Sequence, residues 1–129
     1  MLITNGKIYL DETIIENGYI HIKDDKIISV GDMKYVPKAD EVIDAKGQNV
    51  LPGFIDQHIH GANGADNMDA TQEAVSTIAR FLPKEGTTSY LATTMTQSVE
   101  NINKSLHEIV KYADNDNPAG EAEIIGIHL

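Results

Sequence analysis

From Phe54 to Leu129 the residues alternate between two periodicities, and that alternation constrains the fold more than any other feature. Phe54 to His60 reads as a mixed apolar strand. Asp69, with Gln72 three residues on, has the pattern of a capping box that opens a helix. Val75, Ile78, Ala79 and Leu82 then fall at i, i+3, i+4 and i+7, one apolar stripe, which Pro83 and Gly86 end. Thr88 to Thr94 is strand-like, and Ser98 is placed to cap a second helix in which Val99, Ile102, Leu106, Ile109, Val110 and Ala113 recur at helical spacing. Asn115 to Gly120 reads as a loop. Ile124 to Leu129 is a nearly continuous apolar run, as parallel strands covered on both faces are.

A β-α-β-α-β order builds parallel sheets with right-handed crossovers. A (β/α)8 barrel takes about 250 residues and eight strands, whereas these 129 residues supply three strands. The expectation is the front portion of a larger protein. A complete small β plus three-strand α/β domain is the rival, and it would leave an apolar strand uncovered at its end.

Upstream of Pro52-Gly53 the pattern is one of short β segments. Leu2-Ile3-Thr4 and Lys7-Ile8-Tyr9 flank Asn5-Gly6, a pair suited to a two-residue hairpin turn. A second Asn-Gly, at Asn17-Gly18, precedes Tyr19 to Lys23, where Ile20 and Ile22 alternate with His21 and Lys23. Asp24-Asp25 turns the chain into Lys26 to Val30, closed by Gly31, and Glu41 to Ala45 and Asn49 to Leu51 read as further strands around Lys46-Gly47. Residues 1–51 are expected to form a small antiparallel β unit.

Composition narrows the chemistry. The sequence has no cysteine, so disulfides, thiolate metal sites and cysteine nucleophiles are excluded, and any metal must be held by His, Asp or Glu. Its 20 acidic residues against 10 basic ones give a net charge of −10, the wrong sign for neutralising phosphates along a nucleic acid. No run approaches the length of a membrane span, and no apolar stretch near Met1 suits a signal peptide. The expected setting is the cytoplasm, with neither nucleic acid nor membrane as partner.

The sharpest local feature is His58-Ile59-His60. On a strand, residues i and i+2 share a face, so both imidazoles can reach one metal ion while Ile59 points the other way. The pair ends a strand and is followed at once by Gly61-Ala62-Asn63-Gly64. In α/β barrels the C-terminal ends of the strands carry the active site. The alternative is two solvated or hydrogen-bonded histidines at a strand end. His21, His107 and His128 read as an exposed strand residue, a surface helix residue and a structural support. Gly61 to Gly64 fits no phosphate-binding loop; its glycines suit close backbone approach near a metal or substrate.

Leu51-Pro52-Gly53-Phe54-Ile55-Asp56-Gln57-His58-Ile59-His60-Gly61 resembles the first barrel strand of the metal-dependent amidohydrolase superfamily. Gly61 to Asp66, Gly86 to Thr94 and Ile125 to Leu129 most resemble its branch that deacetylates N-acetylglucosamine 6-phosphate. The resemblance implies an α/β fold: a small antiparallel β-sandwich unit, of which residues 1–51 are the N-terminal part, joined to a (β/α)8 barrel. Residues 52–129 would be its first three strands and two helices, an incomplete amidohydrolase fold. It implies His58 and His60 as metal ligands and a divalent metal, zinc or iron, with two ions in the full-length protein. It also implies a small-molecule amino-sugar phosphate substrate. Asp56 is a candidate for orienting a ligand from behind or for satisfying local backbone, and Gly61 and Asn63 are candidates for the substrate loop. The catalytic aspartate and remaining ligands are expected beyond Leu129, so residues 1–129 alone are expected to be inactive. Apolar barrel strands left in water should also drive association into a homo-oligomer. Two alternatives stand beside this reading. One is another amidohydrolase, dihydroorotase-like or hydantoinase-like; the other is a non-catalytic interaction module with a relic His pair.

Overall fold

The computed structural model describes residues 1–115 and 118–129 and divides into two compact units, Met1–Pro52 and Gly53–Leu129. In the first, β1 (Leu2–Tyr9), β2 (Ile14–Lys23) and β3 (Lys26–Asp32) form an antiparallel meander. Asp24 and Asp25, at φ 49° and 61°, make the β2–β3 turn as their sequence predicts. β4 (Val42–Asp44) and β5 (Asn49–Val50) share the other edge of β1 and run parallel to it, so the five-stranded sheet is mixed. Lys46 and Gly47, both at positive φ, carry the chain between those two short strands.

Asn5-Gly6 does not turn the chain. It lies inside β1, where Asn5 at φ 55° makes a bulge and the register with β2 shifts on both sides of Gly6. A Cβ on Gly6 would lie 2.6 Å from Val50 Cγ2, so the glycine is needed where β5 comes close rather than for a hairpin. The hairpin closes later, where the Leu10 N–H donates to the Thr13 carbonyl at 2.9 Å. Asn17-Gly18 is likewise inside β2, with Gly18 opposite Gly6. His21, expected to be exposed, is half-buried.

In the second unit, β6 (Phe54–Ile59), β9 (Thr87–Thr93) and β10 (Glu123–His128) form a parallel sheet in the order β10-β9-β6, while β7 (Gly61–Ala62) and β8 (Ala65–Asp66) make a short hairpin. α1 (Gln72–Phe81) and α2 (Val99–Ala113) are the two crossovers. The sheet is open, the strand and helix order of a barrel not yet closed. The α1 stripe is buried as its spacing predicts: Val75, Ile78, Ala79 and Leu82 pack with Tyr90, Ala92, Ile109 and Tyr112.

Two helix details differ from expectation. Thr71, not Asp69, caps α1, its hydroxyl accepting from the Ala74 N–H at 3.1 Å; Asp69 instead completes a capping box with Asp66 on the 3-10 turn Asn67–Asp69. In α2, capped by Ser98, the inward face is Ile102, Ser105, Ile109 and Tyr112, while Val99, Val110 and Ala113 are exposed. Ser105 is buried because its hydroxyl finds a backbone carbonyl, which a hydrophobic pattern cannot register. The loop expected over 115–120 includes Asp116 and Asn117, which lie outside the described residues.

Candidate metal centre at the end of β6

Alternation along β6 turns Ile59 into the core and leaves His58 and His60 on the opposite side. Their Nε2 atoms stand 3.2 Å apart, the rings edge to face at 87° with centroids 4.9 Å apart. Two imidazole nitrogens bound tetrahedrally to one zinc, each at about 2.0–2.1 Å, would be separated by about 3.3 Å. The pair therefore already has the spacing of one edge of a metal tetrahedron. Without an ion, an N–H···N hydrogen bond between the two rings suits the same distance.

His128 on β10 packs edge-on against His58, centroids 4.6 Å apart, and its Nδ1 lies 3.1 Å from the Gln57 carbonyl oxygen. With Nδ1–H donated to that carbonyl, His128 meets His58 as a ring. Among the described residues no group of three or more His, Asp or Glu is arranged around one point. Two imidazoles alone make a weak site.

The other candidate residues are placed as follows. Asp56 Oδ1 accepts the backbone N–H of His58 at 3.0 Å. Gly61 begins the β7–β8 hairpin, where a Cβ would lie 2.1 Å from the Ala65 carbonyl oxygen, so the close approach it permits is to its own partner strand. Asn63, at φ 53°, and Gly64, at φ 81°, form the hairpin tip, and Asn63 is exposed. This third Asn-Gly, read from sequence as part of a loop, is the one that makes a two-residue hairpin turn. His107 is exposed on α2. An open hollow of about 620 Å³ belongs to the first unit; its rim mixes Lys23 and Lys38 with Asp24, Asp25, Asp40 and Glu41, so it offers no single charge for a ligand.

Sequence reasoning missed Asn67, which is completely buried. Its Nδ2 donates to the Ile59 carbonyl at 3.1 Å and to the Thr93 carbonyl at 3.2 Å, and its backbone N–H donates to the His60 carbonyl at 2.8 Å. The Ser105 hydroxyl donates to the Asn67 carbonyl at 2.7 Å, and the Ile59 N–H donates to Thr93 Oγ1 at 3.0 Å. The only local signal was the pair Asp66 and Asp69 around it, which marks a capped turn and says nothing of burial. His60 Nδ1 is also buried, without a hydrogen-bond partner.

Residues 49–113 match the model of the amidohydrolase family. The N-acetylglucosamine-6-phosphate deacetylase of Bacillus subtilis (strain 168) is 40% identical over 131 aligned residues, covering 100% of this chain and 33% of that protein. The enzyme of the same name from Lysinibacillus sphaericus is 38% identical over 111 residues, covering 85% of this chain and 28% of its own length. The crystal structure of N-acetylglucosamine-6-phosphate deacetylase from Pasteurella multocida superposes with a TM-score of 0.82 at 28% identity, over 92% of this chain and 32% of that one. That from Thermotoga maritima gives 0.75 at 29% identity, over 100% and 31%. The chain spans about a third of the length of the curated relatives it matches.

Proposed function

Because the chain belongs to the amidohydrolase family, we propose that the protein it represents removes the acetyl group from N-acetylglucosamine 6-phosphate, giving glucosamine 6-phosphate and acetate. The observation that carries this is the Nε2 pair of His58 and His60, 3.2 Å apart at the C-terminal end of a parallel strand. The names of the relatives support the substrate. In this reading residues 1–51 are the N-terminal part of a β-sandwich domain and residues 52–129 the first three strands and two helices of the barrel.

His58 and His60 would hold a divalent metal, zinc or iron, through Nε2, with a second ion held by later donors. When bound, the metal supplies a nucleophilic water at neutral pH and polarises the amide carbonyl. The two rings would bind the metal through Nε2, the nitrogens that already face each other. His128 buttresses the His58 ring, and Asp56 fixes the peptide that presents it. Gly61 keeps the hairpin folded tightly against the strand end, leaving Asn63 at a tip open to substrate. A homo-oligomer in the cytoplasm belongs to the same reading. No described helix is long and apolar enough to cross a membrane.

The test is deacetylation of N-acetylglucosamine 6-phosphate by the intact protein, with metal content measured in parallel. His58→Ala and His60→Ala should each lose metal and activity together. Variants that keep both would overturn the assignment. Residues 1–129 alone, with two imidazoles and, among the described residues, no third donor arranged around them, should show no turnover above a metal-only control.

A further inference from the structure

We propose that Asn67 is a positioning residue for the metal centre, acting through the backbone of His60; the inference rests on the metal role given to His58 and His60. The distinguishing observation is where its hydrogen bonds fall. The amide Nδ2 holds the Ile59 carbonyl, the peptide entering His60, and the backbone N–H holds the His60 carbonyl, the peptide leaving it. One residue therefore fixes both peptide planes about the His60 Cα, and with them the direction of its Cα–Cβ bond.

The same amide reaches the Thr93 carbonyl, so β6 and β9 are tied at the level of the His pair rather than only along their ladder. That tie matters because the ladder between them is irregular there: the register shifts between Asp56 and Ile59. The local pairing alone leaves the His-bearing end less constrained than the rest of the strand. Asn67 is anchored in turn by the Ser105 hydroxyl on α2 and sits at 0% exposure, where an amide with two carbonyl acceptors has little freedom to rotate. A metal site needs its donors held to within about 0.5 Å, and a buried, doubly engaged side chain is the means of holding a strand end that tightly.

The experiment compares the intact protein with Asn67→Ala, His60→Ala and a core variant of α2, Ile109→Val, measuring Zn²⁺ affinity by competition, the visible spectrum of the Co²⁺ form, and melting temperature without metal. Asn67→Ala should lower affinity about tenfold or more, in the range found when residues behind a metal ligand are removed, and alter the Co²⁺ absorption. Ile109→Val should lower the melting temperature and leave affinity and spectrum alone. If Asn67→Ala melts earlier yet keeps the wild-type affinity and spectrum, its role is only structural and the proposal falls. Should Asn67→Ala not fold, Ser105→Ala loosens the same clamp from its far end; a smaller loss of affinity supports the proposal and an unchanged affinity overturns it. His60→Ala separates the two levels. If it binds metal as wild type does, the metal reading fails and takes this inference with it; if it loses metal while the clamp variants keep it, only the positioning role is wrong.

Discussion

The two units of this chain are held together by different means. Among the described residues, ten buried apolar side chains belong to residues 53–129 and only four, Leu2, Ile8, Tyr19 and Ile20, to residues 1–52. The second unit packs two amphipathic helices on a parallel sheet, so its cohesion is side-chain burial. The first is a sheet whose cohesion lies in backbone ladders and turns, and Ile27, Ile28, Val42 and Ile43 remain about half exposed or more. A candidate site that needs fixed donors is found on the unit with the packed core.

The largest effect expected from this difference is on core truncation. Ile78→Ala removes a side chain with no exposure and should cost about 2–5 kcal/mol. Ile43→Ala, at a position 48% exposed, should cost no more than about 1 kcal/mol. Urea unfolding gives the magnitudes and amide exchange gives their location: the first variant should lose protection across residues 53–129. Equal costs at the two positions would break the comparison.

A smaller contrast lies in the glycines. In Gly61→Ala the new methyl meets a carbonyl oxygen at 2.1 Å and the Asp66 Cα at 2.8 Å, both backbone, so the β7–β8 hairpin must open. In Gly6→Ala the nearest atom, at 2.6 Å, is Val50 Cγ2, a side-chain methyl that moves only by turning a stiff β-branched rotamer, whereas no backbone atom is in the way. Gly61→Ala should therefore cost about 1–3 kcal/mol and weaken metal binding, whereas Gly6→Ala should cost less and leave binding unchanged. Melting curves with and without Zn²⁺ separate the two effects.

The same contrast explains how much was legible in the sequence. The β-α-β-α-β order, the α1 stripe and the placing of His58 and His60 on one side of a strand end all follow from periodicity, and each survives because burial depends on period. The three Asn-Gly pairs look alike, yet only Asn63-Gly64 is a hairpin turn. At Gly6 and Gly18 the demand for a glycine comes from Val50, Ile8 and Ile15, which are remote in sequence. For the same reason the parallel pairing of β4 and β5 with β1 could not be read. Asn67 was invisible because an asparagine between two aspartates signals a turn; its burial depends on Thr93 and Ser105, 26 and 38 residues away.

The finest test of the comparison is pH, because each unit carries a titrating group of opposite consequence. In the first, the Asn5 amide and then the Lys46 backbone N–H hold the Asp44 carboxyl below its ordinary value of 3.8. The ionised form is thus favoured by folding, and that stabilisation is present above the unfolded value and lost as pH falls through the lowered one. In the second unit, burial, reinforced by the negative potential from Tyr112 and Glu121, raises the Tyr90 phenol above its ordinary 10.0. Here the protonated form is favoured, so the contribution is complete below pH 10 and declines as pH rises past it. Asn5→Ala should flatten the acid limb of stability, since Asp44 loses its first partner, and lower the plateau as well, because alanine is strained at the φ of 55° that Asn5 holds. Tyr90→Phe should leave the plateau nearly unchanged, because the hydroxyl it removes is buried without a hydrogen-bond partner, and should move the alkaline limb upward. What remains of that limb belongs to Tyr112, whose phenol is raised by burial and by its hydrogen bond to Glu121, and to a smaller exposed contribution in the first unit from Lys7, whose ammonium is raised by its pairing with Glu16. If the acid limb were instead to follow protection in residues 53–129, and the alkaline limb protection in 1–52, the division of cohesion between backbone and core would be wrong.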